Sequence, residues 1–425
     1  MEKSAWIVSV NMGYGHQRTA FPLRDLSVGG KVVCANDYEG ILKEDKRIWD
    51  SVKSGYELVS KMKEIPVIGG FIFFLFDQFQ KILSFYPKRD LSKPSFQLEK
   101  TYSLIHKEWG RHLIKKLSKK PLPFISTFFI PAFMAEYFHY PGEIYCVVCD
   151  ADISRAWAPF LPKRSRIKYF VPTERVVERL KLYGVKESNI FLTGYPLPQE
   201  LLGSKSVTIL KDDLKSRILN LDPKKRYEKY YKPLIDRYLG YMPSKSDHPL
   251  TLMFAVGGAG SQKEIAIQVA TSLAKKIKNG KMGMILSAGT KEWVNEYFEK
   301  ELSMLGLLNN DNIEIVFDND INRYFEKFNL ALKRTDILWT KPSELSFYSS
   351  LGIPIIIAPS IGSQEDFNRR WLLKSGFGIL QDDPKNTDQW LSDWLEKGYL
   401  AEAAMQGFIE GEKLGTFNIK EIIDK

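Results

Sequence analysis

The sequence predicts an α/β protein built from two doubly wound domains. Three observations predict it: a length of 425 residues, short β-branched runs alternating with helical stretches along the chain, and glycine-rich turns directly after the first strand of each half. At about 150 residues per domain, the length asks for two or three domains. With 44% hydrophobic and 26% charged residues the chain can fill sizeable cores, which excludes wholesale disorder. Three cysteines exclude a disulfide scaffold and fit a reducing compartment.

In the first half, the runs at 6–10 (WIVSV), 31–36 (KVVCAN), 123–128 (PFISTF), 144–149 (IYCVVC) and 167–172 (IKYFVP) read as strands, with helices over Ser95–Leu117 and Thr173–Tyr183. In the second half, strands are expected at 250–256, 283–289, 313–317, 336–340 and 353–359, and helices at Ser261–Asn279, Lys291–Leu305 and Ser343–Leu351. Alternation of this kind argues for parallel sheets, in which ligands sit beyond the carboxyl ends of the strands. Residues 201–245 interrupt it with 11 Lys and Arg, several tyrosines and three prolines, and read as a linker or insertion. The expected division is a first domain over 1–200, a basic linker over 201–249 and a second domain over 250–400. A C-terminal helix over 401–425 is expected to cross back to the first domain.

Charge is uneven. Residues 1–245 hold 41 Lys and Arg against 26 Asp and Glu, a net +15, while residues 246–425 hold 20 against 25, a net −5. The first part is therefore the candidate to meet an anionic surface. The longest uncharged apolar run, Ile65 to Phe76, has twelve residues, and a bilayer-spanning helix needs about 20. It reads as a core element or as an interfacial hairpin flanked by Lys61, Lys63, Lys81, Lys88 and Arg89. The first residues, with Lys3 followed at once by a strand and a glycine turn, do not read as a secretory leader.

Four loops could carry chemistry. The first strand runs into Gly13–Tyr14–Gly15–His16, where glycines permit close backbone approach and His16 is placed as a general base or phosphate partner. The third glycine of the dinucleotide fingerprint is missing. The strand at 250–256 runs into Gly257–Gly258–Ala259–Gly260–Ser261–Gln262 and then a helix, an arrangement suited to a diphosphate. A G-K-[ST] ending is absent, which argues against a P-loop ATPase. Lys341–Pro342–Ser343–Glu344 closes a strand and opens a helix that Ser343 or Thr340 could cap. Gln364, Glu365 and Asn368 follow the last long strand, where a polar set suits gripping hydroxyls.

Cys146 and Cys149 lie three apart in an apparent strand, so their side chains face opposite ways and they read as core. Asp150 and Asp152 follow that strand. As a metal pair they lack a third ligand nearby in the sequence. No Ser-His-Asp arrangement and no nucleic-acid motif is legible.

Taken in order, these loops resemble the lipid-acceptor glycosyltransferases of the two-domain GT-B type. That group includes the murein-precursor N-acetylglucosaminyltransferase, plastid galactosyldiacylglycerol synthases and bacterial diacylglycerol glucosyltransferases. Gly13–Tyr14–Gly15–His16 looks like their first-loop G-x-G-H, and Asp150 with Trp157 looks like their D-x6-W segment. Residues 169–174 and 192–196 look like the segments that end the first domain, and residues 214–223 like the opening of the second. The glycines from Gly257 to Gly260, then Lys341–Pro342, then Gly362–Ser363–Gln364–Glu365 with Asn368, complete the likeness from residue 5 to about 380.

The resemblance implies two Rossmann-like domains facing a central cleft and a nucleotide-sugar donor, UDP-linked, held by the second. Gly257, Gly258, Gly260, Ser261 and Gln262 would face the diphosphate, and Gln364 and Glu365 the sugar. Lys341, Ser343 and Glu344 would complete the donor site. His16, Asp150 and Asp152 would be catalytic, and Gly13, Gly15 and Asn368 would be among the ligand-binding residues. It implies no tightly bound cofactor, no metal and no nucleic-acid partner. It also implies a lipid or polyprenyl acceptor, reached from a cytoplasmic, membrane-peripheral position at an anionic surface. Two departures mark a divergent branch. Phe347 stands where the family carries a ribose-binding Glu, leaving Glu344 as the stand-in, and Asp152 and Ser154 replace the histidines of the D-x6-W segment.

Overall fold

The structure, a computed structural model, describes residues 4–62, 82–258, 260–360 and 363–425. The apolar segment at 65–79, a candidate interfacial hairpin, lies outside them. Among the described residues there are two six-stranded sheets, and every strand pairing in them is parallel. The expected fold class, two doubly wound α/β units, is the one observed. One unit comprises Met1–Leu197, Ser360–Asn368 and Leu414–Lys425; the other comprises Pro198–Pro359 and Arg369–Lys413.

The sheet of the first unit contains β1 (Trp6–Ser9), β2 (Val33–Cys34), β3 (Phe124–Ser126), β4 (Ile144–Val147), β5 (Lys168–Val171) and β6 (Ile190–Leu192), in spatial order β2-β1-β3-β4-β5-β6. The chain steps outward from β1 to β2, then returns to place β3 on the other flank of β1. Order reverses between β1 and β3, and the loops after those two strands diverge there. Ile7, Ile125, Tyr145, Val147 and Phe170 form the buried core with Ala20, Leu23 and Leu26. Ile419 and Ile423, on the helix Gly415–Asp424, close this core from the far end of the chain.

The sheet of the second unit contains β7 (Thr251–Ala255), β8 (Gly283–Gly289), β9 (Ile313–Phe317), β10 (Ile337–Thr340), β11 (Ile355–Ile357) and β12 (Gly378–Leu380), in order β12-β11-β10-β7-β8-β9. Here the reversal falls between β7 and β10. Every residue of β7, β8, β10 and β11 is buried, which explains their near-continuous apolar sequence: helices cover both faces.

Several expectations change in detail. β2 keeps two of the six residues expected to be extended, and β6 and β12, short and partly exposed at the sheet edges, were not expected. The helix expected over Ser95–Leu117 is two, Phe96–His106 and Arg111–Leu117, because Glu108 (φ 70°) and Gly110 (φ 86°) turn the chain through the left-handed region. Residues 201–245 are an ordered part of the second unit rather than a linker. Helix Thr208–Leu221 buries Leu210, Leu214, Ile218 and Leu221, and helix Arg226–Leu239 buries Tyr227, Ile235 and Leu239. The segment 401–425 is divided: helix Tyr399–Glu410 belongs to the second unit, and Gly415–Asp424 to the first. No helix among the described residues is long and apolar enough to cross a membrane.

Candidate functional sites at the two switch points

In the second unit the glycine loop leaves β7 at the switch point. Gly260 takes φ +71° and Gln262 φ +69°, the left-handed region that glycine adopts at no steric cost. The Gly260 amide donates to the Gly257 carbonyl at 2.7 Å, which closes the turn. Helix Lys263–Lys278 follows, and Gln262 at its N-cap makes no side-chain capping bond, so its first-turn amides point into the loop without a side-chain acceptor from the cap.

The loop after β10 supplies the charge. A Cβ built on Gly257 would lie 2.5 Å from Cε of Lys341, so the lysine stem runs along the glycine backbone. Lys341 and Gly257, 84 positions apart in sequence, are brought together because β10 is the hydrogen-bonded neighbour of β7. The loop after β11 joins as well: Gln262 Nε2 donates to the Pro359 carbonyl at 2.7 Å. Gln262 therefore braces the loop with the side chain that was expected to face a diphosphate. Trp293, in the first turn of helix Glu292–Met304 after β8, packs against the same loop. A Cβ on Gly260 would lie 2.5 Å from its ring, and Lys263 Nζ sits 5.2 Å from the Trp293 centroid and 4.9 Å from that of Tyr297. Gly258 and Ser261 within this loop are half-buried.

The expected cap does not form. Ser343 is the N-cap of a 3-10 segment, Glu344–Leu351, and makes no side-chain capping bond, while Thr340 Oγ1 donates instead to the Ala255 carbonyl at 3.2 Å. Phe347 is buried against Trp371, with ring centroids 5.1 Å apart, so that position has become core. Glu344 lies at the half-exposed start of the same segment.

In the first unit His16 occupies helix Tyr14–Ala20, entered through Gly13 at φ +90°. Its Nδ1 lies 2.8 Å from the Thr127 carbonyl, just beyond β3 across the switch point. A carbonyl only accepts, so Nδ1 carries the proton and Nε2 is the basic ring nitrogen. Thr127 holds the helix a second time by donating from Oγ1 to the His16 carbonyl at 2.9 Å. The ring packs on Phe128 at 4.6 Å and Trp157 at 6.2 Å, and Cys149 Sγ is 3.5 Å from Nδ1. Gly13 thus shapes the turn that delivers this ring, and Gly15 lies inside the helix, one residue before it.

Asp152, expected among the reacting groups, is engaged by two arginines. It is buried, and its two oxygens accept from Arg179 Nε and Nη2, both at 2.8 Å, and from Arg175 Nε at 3.0 Å. The carboxylate is a clamp on helix Glu174–Leu182. Asn368 is likewise occupied: its Oδ1 accepts from the Ala151 amide at 2.8 Å and its Nδ2 donates to Asp150 at 3.2 Å. Asn368 thereby ties down the loop after β4, and Asp150 is oriented by it. Gln364 and Glu365 stand half-buried in the first turn of helix Ser363–Ser375. Cys146 and Cys149 are both buried and neither forms a disulfide, and burial pushes the Cys146 thiol well above its ordinary range. Among the described residues no group of His, Cys, Asp and Glu is arranged to hold a metal ion.

The sequence matches no family model and no curated protein. Among solved structures it is similar to MurG of Acinetobacter baumannii, at 12% identity and a TM-score of 0.44, over 77% of this chain and 78% of that one. It is also similar to UDP-GlcNAc 2-epimerase from Neisseria meningitidis bound to UDP-GlcNAc, at 14% identity and 0.44, over 79% and 82%. A third is HepE of Anabaena in complex with UDP-glucose, at 10% identity and 0.42, over 75% and 82%.

Two contributors escaped the sequence. Trp293 carries no motif and reaches the glycine loop only because β8 lies beside β7. Thr127 acts on the His16 ring through a main-chain carbonyl, for which residue type gives no signal. The aromatic pair Phe128 and Trp157 could have been suspected from the apolar run after β3 and the D-x6-W spacing.

Proposed function

We propose that the chain is a glycosyltransferase that takes a sugar from a UDP-linked donor held by the second unit. The acceptor, a lipid or polyprenyl hydroxyl at an anionic, cytoplasm-facing membrane surface, is assigned to the first unit. The observation that carries the reading is Lys341 laid along Gly257, in a glycine loop that opens an N-terminal helix turn at the β7/β10 switch point. Main-chain amides at the helix start plus a lysine form a cradle for a diphosphate, and they stabilise negative charge as it develops on the leaving UDP. That electrostatic work requires no metal ion. His16 Nε2, with its tautomer set by Thr127, takes the proton from the acceptor hydroxyl as its oxygen attacks the anomeric carbon. Gln364 and Glu365 are assigned to the sugar hydroxyls, and Glu344 to the ribose.

One observation favours a second reading. Phe347 is buried where the resemblance expects a ribose-binding Glu, so a protein that binds a sugar nucleotide without transferring it, or an epimerase acting on the nucleotide sugar, retains the donor site alone. The experiment is thermal melting of the purified chain with UDP, ADP or NAD, followed by a radiolabelled nucleotide-sugar screen. UDP at a hundred times Kd stabilises by about 2.7 kcal/mol and raises Tm, whereas NAD does not. Absence of a shift with any nucleotide overturns the donor site. Label passing into a lipid extract supports transfer, and label remaining nucleotide-linked with an altered sugar supports epimerisation.

A further inference from the structure

The helix Arg226–Leu239 has an outer face that neither switch point uses. It is anchored from beneath by buried Tyr227, Ile235 and Leu239, and at its start the Asp222 carboxylate accepts from the amides of Tyr227 at 3.1 Å and Glu228 at 2.8 Å. Tyr238 packs edge-on against Phe408, with centroids 6.4 Å apart. The helix is therefore anchored on the second unit. It kinks at Tyr231 (φ −121°), ahead of Pro233, and Arg226 and Tyr230 before the kink and Pro233 and Arg237 after it are all exposed. Tyr230 is 64% exposed, Tyr231 41% and Tyr241, just past the helix, 85%: three exposed aromatics within twelve positions.

Positive charge surrounds these rings. Residues 222–245 carry seven Lys and Arg against three Asp and Glu. Asp222 is consumed as a cap, and Glu228 and Asp236 pair with Lys225 and Lys232. Lys224, Arg226, Lys229, Arg237 and Lys245 are exposed, and none makes an ion pair with an acid among the described residues.

We propose that this basic, tyrosine-bearing face docks the second unit on an anionic phospholipid surface. Tyrosine and lysine both place an apolar body below a polar tip, which suits the headgroup layer, and each cation near an anionic leaflet adds attraction. Single-stranded nucleic acid fits less well. It stacks bases on open ring faces within a groove, whereas this is the convex outside of one helix and a cation already lies over Tyr230, with Lys229 Nζ 5.4 Å from its centroid. The docking face is independent of the donor site and holds whether the acceptor is lipid or soluble.

The test is co-sedimentation of the full chain with phosphatidylcholine vesicles, with or without phosphatidylglycerol, and a parallel titration with a fluorescent oligouridylate. The expected result is sedimentation with the phosphatidylglycerol vesicles alone, falling as salt rises. In the combined variant Arg226→Glu, Lys229→Glu, Arg237→Glu the affinity falls about a hundredfold, from a loss of about fivefold per cation. Tyr230→Ser with Tyr241→Ser weakens it less, and both variants keep the parent's UDP melting shift, or its parent-like melting temperature if UDP gives none, which shows that they fold. Parent-like sedimentation of the charge-reversed variant overturns the proposal, as does failure of the parent to bind. Tighter binding to the oligouridylate than to the vesicles overturns it in favour of nucleic acid.

Discussion

The two switch points share a topology and differ in what the topology delivers. In the second unit the loops after β7 and β10 bring together glycines and a lysine, so the surface offered is main-chain N–H groups with one fixed cation. In the first unit the loops after β1 and β3 bring together a histidine and the carbonyl that orients it, backed by Phe128 and Trp157. One arrangement suits an anion that must be held, and the other suits a proton that must be moved beside an apolar group. The same parallel-sheet geometry thus yields two kinds of chemistry, decided by four or five residues at the carboxyl edge.

Each unit also holds a buried aspartate, and here the units differ again. Asp152 is clamped by two arginines, whereas Asp336 accepts from the Thr251 amide at 2.7 Å, Asn220 at 3.0 Å and His248 at 3.2 Å. The largest expected effect comes from breaking the first. Asp152→Ala leaves Arg179, whose side chain is fully buried, without a counter-charge, and the unfolding free energy falls by about 3–5 kcal/mol in urea melts. A variant that loses activity with unchanged stability instead returns Asp152 to the reacting groups.

His16→Ala comes next and acts on the comparison itself. Turnover with the accepted donor and acceptor falls about a hundredfold while UDP affinity stays at the parent value, because the histidine belongs to the first unit. Loss of UDP affinity in this variant erases the division of labour. Lys341→Met is the converse test. It weakens UDP binding about tenfold by calorimetry, the worth of a charge-assisted contact, and leaves the melting temperature of the free protein close to the parent's.

Much of the fold was legible because strands covered on both faces must be apolar throughout, and β7, β8, β10 and β11 announce themselves as such runs. β6 and β12 were missed because they are short, partly exposed strands at the edges of their sheets and lack a fully apolar run, unlike the equally short but buried β3 and β11. The glycine loops were legible as loops, since glycine at a strand end has a narrow physical meaning. Their partners were not. Lys341 meets Gly257 through sheet order, and Asp152 meets Arg175 and Arg179 a full strand and helix turn later, at separations of 23 and 27 residues. Nothing in local spacing distinguishes an aspartate poised for catalysis from one neutralised by arginines that fold onto it. The stretch 201–245 misled for a different reason: its charge and prolines lie on the exposed side of helices whose apolar residues are fewer and buried.

The smallest effect distinguishes the second clamp from the first. Burial alone depresses the His248 pKa, but its hydrogen bonds and charge contacts with Asp336 and Asp247 outweigh that and hold it above the ordinary 6.5. Burial raises Asp336 as well, despite the opposing pull of His248 and Arg217. Both shifts mean that the native state binds protons more tightly than the unfolded chain does. The clamp's contribution is accordingly full below about pH 6.5 and is lost as pH rises through the folded-state value of His248. Asp247, held low chiefly by its bond to His248 against the effect of burial, has the opposite sign, but it acts only in the acid range of carboxylates. Urea midpoints for the parent and for His248→Gln, measured from about pH 6 to about pH 9, should therefore converge as pH rises, with a difference of at most about 1 kcal/mol at the acid end. A gap that widens toward high pH shows that His248 is held neutral in the fold, and the second clamp then rests on Asn220 and the Thr251 amide alone.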